Sequence, residues 1–207
     1  MRYLYLHGFA SGPKSTKGVA FENHFAPKGI AIERLDLRLP SFEHLRLAAM
    51  IEKVRTELAD PTILIGSSLG GLCAARVAEH DKRVKALVLL APAFKLAERW
   101  RTQLGPAFDD WRDTGWRQVT DYTTGQPARI DFGFFEDVAR IDRGWPAITC
   151  PTLILHGRRD ETVSIDSSRE LAKQNPRVRL VELDDGHELT ASIPTLLAET
   201  EAFLASV

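Results

Sequence analysis

The chain has 207 residues, which is enough for one enzyme-sized domain with a substantial core. Its net charge is -1 and its acidic and basic residues are interleaved, so no basic stripe indicates nucleic acid or an anionic membrane, and we expect a small, near-neutral substrate. The two cysteines, Cys73 and Cys150, are far apart and lack histidines at metal-ligand spacing. This argues against a disulfide framework and a zinc site, and it favours a reducing, cytoplasmic compartment.

Short apolar runs rich in β-branched or aromatic residues predict the strands. They cover residues 3–6, 32–37, 62–65, 86–90, 152–155 and 179–183. The first run is too short for a signal peptide or a membrane span. Several runs are almost continuously apolar, as expected for strands that are covered on both faces.

Stretches with helical spacing of apolar residues lie between most of these runs. They cover residues 19–25, 42–58, 71–79, 167–173 and 194–204. The alternation predicts an α/β fold with a minimal, mostly parallel sheet of about six strands and helices on both faces.

Residues 94–145 interrupt this alternation and contain all four tryptophans. Residues 96, 100 and 104 share one helical face, residues 135, 138 and 141 share another, and two short runs flank Thr124-Gly125 like a hairpin. We therefore expect a single domain, 1–207, with a cap-like insertion at 94–145. Its aromatic side chains either pack only the insertion's own core or also roof an apolar ligand pocket.

The strongest chemical signal is a G-x-S-x-G pattern at residues 66–70, after an apolar run and before a helix rich in small residues. This context is typical of a nucleophile elbow, in which the serine lies on a sharp strand-to-helix turn. Gly66 and Gly70 leave room for that turn, and the hydroxyl of Ser68 would point into a cleft. A phosphate-binding loop is the alternative, but its G-K-[ST] ending is missing.

A serine nucleophile needs a base, and the chain contains six histidines. His187 follows the last predicted strand, so it belongs to the carboxyl edge of the sheet, where open α/β folds build their sites. His156 also ends a predicted strand, but we expect it to pack or to support the site. The base is therefore predicted to be His187.

The acid that orients the base is predicted after the fifth strand, where Gly157 allows a turn and Asp160 follows. A carboxylate there would accept the imidazole N–H and stabilise the imidazolium that forms during attack. Glu161, Asp184 and Asp185 remain rival acids. Asp160 is preferred because the order serine, acid, histidine is the order that this kind of fold uses.

The first predicted strand ends in His7-Gly8, and the loop that follows can present a backbone N–H. We expect the N–H of Phe9 to pair with the N–H of Leu69 and form an oxyanion hole. Each such donor contributes on the order of a hundredfold in rate.

These segments together resemble the α/β-hydrolase superfamily, and in particular the small YqiA-type esterases and related acyl-thioesterases. The residues that carry the resemblance are 5–11 with Lys14, Ser15 and Lys17, then 66–71, the turn at 156–160, and Gly186-His187. The resemblance implies Ser68 as nucleophile, Asp160 as acid and His187 as base, with Phe9 and Leu69 as the oxyanion hole.

We therefore expect a serine hydrolase that cleaves a carboxylic ester or thioester of a small, apolar acyl group through an acyl-enzyme, without a metal or an organic cofactor. Alternatives that use the same triad are cleavage of carbon–carbon or amide bonds, and perhydrolysis. A non-catalytic module that keeps the fold to bind a small ligand is a further alternative.

Overall fold

A computed structural model describes all 207 residues of the chain. The strands are β1 (Arg2–Leu6), β2 (Ile32–Leu35), β3 (Thr62–Ser67), β4 (Val84–Leu90), β5 (Trp116–Asp121), β6 (Gln126–Asp131), β7 (Thr152–Gly157) and β8 (Val178–Leu183). The helices are α1 (Thr16–Phe25), α2 (Leu47–Glu57), α3 (Leu69–His80), α4 (Leu96–Leu104), α5 (Pro106–Thr114), α6 (Gly133–Ile141), α7 (Asp166–Gln174) and α8 (Ile193–Leu204), with a short 3-10 turn over Ala26–Lys28.

Six strands form one sheet in the order β2-β1-β3-β4-β7-β8, and every neighbouring pair in it is parallel. All residues of β3 and β7 are buried, because helices cover both faces of the sheet. The predicted α/β class and the six-stranded parallel sheet are therefore confirmed. The carboxyl ends of β1, β3, β7 and β8 meet along one edge, where the predicted site residues follow.

Several boundaries differ from the sequence prediction by a few residues, and the largest difference is at the start of α2. The second strand ends at Leu35, and the helix expected from residue 42 begins only at Leu47. The apolar spacing continues upstream of the helix because Leu45 is buried there, but the chain is not helical. Instead, the backbone N–H of His44 donates to the hydroxyl of Ser41 in a turn.

Alternate residues of each central strand pack into different layers. Tyr5, Ile65 and Val88 belong to an apolar cluster with α1 and α8, whereas Leu4 and Leu87 belong to a larger cluster with α2 and α3. This second cluster extends without a break into the segment between β4 and β7. One face of the sheet and that segment therefore share a core.

The segment between β4 and β7 contains α4, α5, the antiparallel β5–β6 hairpin and α6, so the predicted hairpin and both predicted helical faces are confirmed. Helix α5 was not predicted. Its Trp111 is buried, and the indole N–H donates to the carbonyl of Ile130 at 3.1 Å, which ties α5 to β6. Helix α6 is tied to α2, because Asp137 accepts the N–H of Ala48 at 2.8 Å. No helix in the structure is long and apolar enough to cross a membrane.

Candidate active site

Ser68 lies between β3 and α3 in a backbone conformation that non-glycine residues rarely adopt, with φ 51° and ψ -113°. Neighbouring glycines make this turn possible. A Cβ on Gly66 would collide with the carbonyl of Gly70, and a Cβ on Gly70 would collide with the carbonyl of Leu6 in β1. The turn is held by hydrogen bonds, one of which runs from the N–H of Ser68 to Leu90 at 2.9 Å. The geometry is that of a nucleophile elbow.

The structure brings the predicted serine, histidine and acid into one hydrogen-bonded chain. His187 Nε2 lies 3.0 Å from Ser68 Oγ, and His187 Nδ1 lies 2.8 Å from Asp160 Oδ2. Because an ionised carboxylate only accepts hydrogen bonds, Nδ1 carries the proton and Nε2 is free to accept the serine hydroxyl. This is the arrangement that activates a serine.

None of the rival acids contacts the imidazole ring of His187. Glu161 accepts only the backbone N–H of that histidine, at 3.4 Å. Asp185 accepts the N–H groups of Gly186 and Ser192 and so holds the loop before α8. Asp184 is exposed, and its carboxylate lies 3.2 Å from Arg159.

The carboxylate of Asp160 is fully buried and every hydrogen bond it can use is made. Oδ1 accepts the N–H groups of Thr162 at 2.9 Å and Val163 at 2.7 Å, and Oδ2 also accepts from His156 Nε2 at 3.0 Å. Burial alone would raise the pKa of Asp160, but the hydrogen bonds from His156, His187 and Val163 outweigh it and bring that pKa far below its ordinary range. Asp160 is therefore held ionised.

His156 supports this carboxylate, as the sequence suggested. Its Nε2 lies 2.9 Å from the carbonyl of Val163, which can only accept, so Nε2 carries the proton. Its Nδ1 lies 2.7 Å from the hydroxyl of Ser168, which donates to it. The ring of His156 is thus fixed in one tautomer that donates to Asp160.

The loop after β1 lies against Ser68, since a Cβ on Gly8 would be 3.4 Å from the Cβ of Ser68. The backbone N–H of Phe9 makes no hydrogen bond within the chain, and Leu69 is the first residue of α3. Both residues line the same cavity as Ser68. The two predicted oxyanion donors are therefore brought to Ser68, next to the positive end of a helix.

His7 fixes the peptide that carries the first of these donors. Its Nδ1 donates to the carbonyl of Gly8 at 2.9 Å, while its Nε2 accepts the N–H of Leu37 at 3.0 Å. The carbonyl of Gly8 and the N–H of Phe9 belong to one planar peptide, so the ring of His7 sets the direction of that N–H. Burial lowers the pKa of His7, which keeps the ring neutral and suited to these two bonds.

A cavity of about 410 Å³ opens beside Ser68 and His187. Its wall is mixed, with apolar contributions from Phe9, Leu69, Ala93, Leu96 and Trp100 and charged contributions from Lys14, Lys17, Arg99 and Glu188. No group of three or more histidine, cysteine, aspartate or glutamate side chains is placed to hold a metal ion.

The structure favours the second interpretation of the insertion's aromatic residues, in which some of them also line a cavity. Trp100 and Tyr122 line the cavity. Trp111 and Phe135 instead pack within the insertion, with ring centroids 6.2 Å apart. Trp100 also joins the insertion to the loop after β1, because its ring lies edge-on to Phe9 at 5.3 Å.

The sequence matches the model of an uncharacterised protein family, UPF0227, over residues 2–204. This chain belongs to UPF0227. Among curated proteins, this UPF0227 chain is 30% identical over 141 residues to a protein of Mycoplasma pneumoniae named "Putative esterase/lipase 3". That match covers 58% of the chain and 50% of the relative, so the chain spans about half the length of that protein.

Solved structures with the same fold include alpha/beta hydrolase domain-containing protein 10 from mouse, with a TM-score of 0.81 and 22% identity over 99% of this chain and 89% of that one. Est1E from Butyrivibrio proteoclasticus, in a structure with ferulic acid bound, has a TM-score of 0.78 and 24% identity over 98% of this chain and 89% of that one. These likenesses confirm that the UPF0227 chain has the α/β-hydrolase fold.

Sequence reasoning missed two features of this UPF0227 site. The role of His7 was not predicted, although a histidine that ends a buried strand beside glycine is a usable signal. Arg99 was not singled out at all, because its place in the cavity depends on how the insertion folds back towards β1.

Proposed function

We propose that the protein is a serine hydrolase that cleaves a carboxylic ester or thioester of a small acyl group. Ser68 is the nucleophile, His187 the base, and Asp160 the acid that orients it. The observation that supports this most is the chain of hydrogen bonds from Ser68 Oγ through the imidazole to the buried carboxylate, at 3.0 and 2.8 Å. The esterase name of the Mycoplasma relative agrees with it.

In the first half of the reaction, His187 Nε2 takes the hydroxyl proton as Ser68 Oγ bonds to the carbonyl carbon. The carbonyl oxygen becomes an oxyanion, which accepts hydrogen bonds from the N–H groups of Phe9 and Leu69. When the intermediate collapses, the bond to the alcohol or thiol breaks and the leaving group takes the proton from His187. An acyl-serine remains.

In the second half, water attacks the acyl-serine and gives a proton to His187, and the same two N–H groups stabilise the second oxyanion. Collapse returns the proton to Ser68 Oγ and releases the carboxylic acid. These steps use only water and the chain's own groups.

Within this proposal, the chain is one domain, 1–207, and the insertion at 94–145 acts as its cap. Leu96 and Trp100 of the cap line the cavity together with Phe9 and Leu69, and this part of the wall receives the apolar portion of the acyl group. The substrate is a small molecule. Both cysteines are buried free thiols, which supports a reducing compartment such as the cytoplasm.

The test combines labelling with turnover. Wild-type protein is expected to react with a fluorophosphonate probe and to hydrolyse p-nitrophenyl butyrate, and Ser68→Ala should lose the label and about 10⁴-fold or more of kcat. The exposed Ser206, near the end of the chain, provides a matched control, and Ser206→Ala should keep both. Hydrolysis by Ser68→Ala at the parental rate would remove the proposal. A panel of esters, thioesters and amides then defines the bond that is cleaved.

A further inference from the structure

The wall of the catalytic cavity is cationic, although the chain as a whole is not. Lys14, Lys17 and Arg99 line the cavity and Glu188 is the one carboxylate in its wall, so the formal charge of the lining is about +2. The whole chain has a net charge of -1. A concave site lined by one sign of charge attracts ligands of the opposite sign.

The cations differ in whether they already have a partner. Lys17 is satisfied, since its ammonium donates to the carbonyl of Glu188 at 2.6 Å and lies 3.6 Å from the carboxylate of the same residue. The guanidinium of Arg99 forms no salt bridge, and its single hydrogen bond runs from one terminal nitrogen to the carbonyl of Phe94 at 3.1 Å. Its Nε is buried and has no acceptor. Most of the five guanidinium donors are therefore unused.

Two carboxylates, Asp160 and Asp142, are close enough for their charge to act on Arg99, but neither is free to form a hydrogen bond with it. Asp160 is occupied by its two histidines and two backbone N–H groups. Asp142 pairs with Arg76 at 3.0 Å and accepts the N–H of Leu96 at 2.7 Å. Burial lowers the pKa of Arg99, which reflects the cost of holding an unpaired guanidinium away from water.

We propose that the substrate of this cavity carries an anionic group, a carboxylate or a phosphate, that pairs with the guanidinium of Arg99 while the scissile carbonyl lies at Ser68. This inference rests on the proposed hydrolase function and adds the charge of its substrate. A guanidinium suits this task because its planar fork binds carboxylate or phosphate oxygens through two parallel hydrogen bonds.

Arg99 also borders a second, shallower cavity of about 260 Å³. Its wall also contains Lys95 and Glu98, whose opposite charges offset each other, and it lacks Ser68 and His187. The anion therefore belongs on the side of Arg99 that faces the nucleophile. This assignment predicts that a free anion competes with the ester, which a second experiment can check.

The first experiment compares kcat/KM for esters of matched chain length with and without an anionic group. One pair varies the acyl side, 4-nitrophenyl hemiglutarate against 4-nitrophenyl pentanoate. The other varies the leaving group, the butyrate ester of 4-hydroxybenzoate against that of 4-hydroxybenzamide. We expect the anionic member of at least one pair to be preferred by about 10- to 100-fold, the contribution typical of a charged hydrogen-bonded pair.

Arg99→Gln should lower this preference at least about tenfold, and Arg99→Lys should keep part of it. Arg101 offers the matched control, because it lies on the same helix but is exposed and points to the ring of Phe135. Arg101→Gln should leave the preference as it is. Circular dichroism verifies that each variant is folded. Equal rates within both pairs, or a preference that survives in a folded Arg99→Gln protein, would overturn the proposal.

A second experiment separates the anion site from the chemistry. Glutarate should inhibit hydrolysis of p-nitrophenyl butyrate competitively, and non-competitive inhibition would move the anion to the second cavity and overturn the proposal. Calorimetric titration of Ser68→Ala with millimolar glutarate reports binding without turnover. If glutarate binds Ser68→Ala but not Ser68→Ala/Arg99→Gln, the anion site is supported even if no ester is hydrolysed. If glutarate does not bind Ser68→Ala, the result counts against the anion site even if esters are hydrolysed.

Discussion

The two walls of the cavity are built differently. On the sheet side, Asp160 accepts four hydrogen bonds, and the rings of His156 and His187 that donate two of them are each fixed in one tautomer. On the insertion side, Arg99 leaves most of its donors unused, and Trp100 packs on the loop after β1 while still lining the cavity. The proposed catalytic groups are therefore preorganised by hydrogen bonds within the chain, whereas the group proposed to recognise the substrate keeps most of its donors unpaired.

The largest expected effect is on the sheet side. Asp160→Asn should reduce kcat on p-nitrophenyl butyrate by about 10³- to 10⁴-fold. The carboxylate faces ring N–H groups on one oxygen and backbone N–H groups on the other, so the amide NH₂ meets donors in either orientation. We also expect a loss of about 1–3 kcal/mol in the free energy of unfolding.

The rival acid gives the control for this variant. Asp184 is exposed at the same edge of the sheet, and Asp184→Asn should keep the parental kcat and stability within about twofold and 0.5 kcal/mol. If Asp160→Asn retained a tenth of the activity, the sheet side would not be preorganised as described.

The next prediction separates two tryptophans of the insertion, one that packs its core and one that lines the cavity. Trp111→Ala should lower the free energy of unfolding by about 3–5 kcal/mol, measured by urea denaturation, because it removes a buried ring and the bond to the carbonyl of Ile130. Trp100→Ala should cost less stability and should instead change the preferred acyl-chain length, because Trp100 is only partly buried and lines the cavity. The reverse result would exchange the packing role and the lining role of the two tryptophans.

The smallest effect concerns the peptide that joins the two walls. His7→Phe should lower kcat by about a hundredfold with little change in KM, since the N–H of Phe9 loses its fixed direction but the pocket keeps its shape. His80, which is exposed at the end of α3, is the control, and His80→Phe should behave like the parent. A folded His7→Phe protein with normal kcat would show that the loop holds its direction without the ring.

The sequence predicted the sheet side far better than the insertion side. Strands β3 and β7 can be predicted from their continuous apolar runs, and every residue of both strands is buried. A residue that directly follows such a strand lies at the carboxyl edge of the sheet. This is why Ser68, Asp160 and His187 could be proposed from their positions. Their meeting also depends on the loops after β7 and β8, because β4 and β7 lie between β3 and β8 in the sheet.

The insertion could not be read in the same way. Helix α5 has only two large apolar side chains. Trp111 is buried and Phe108 is partly buried, and both are covered through contacts with β6 and α6 rather than by a local pattern. The charge of the cavity was also out of reach. A net charge of -1 averages over the whole surface, while Arg99 and Lys14 meet only after the chain has folded.

The insertion and the α2–α3 face of the sheet share a continuous apolar core, to which Trp111 and Phe134 contribute from one side and Leu47 and Leu72 from the other. Residues 94–145 are therefore not a detachable module. A chimera that exchanges this segment between relatives would also have to exchange the side chains of α2 and α3 that face it. Otherwise the exchange would alter the shared core, and the chimera would lose stability as its specificity changed.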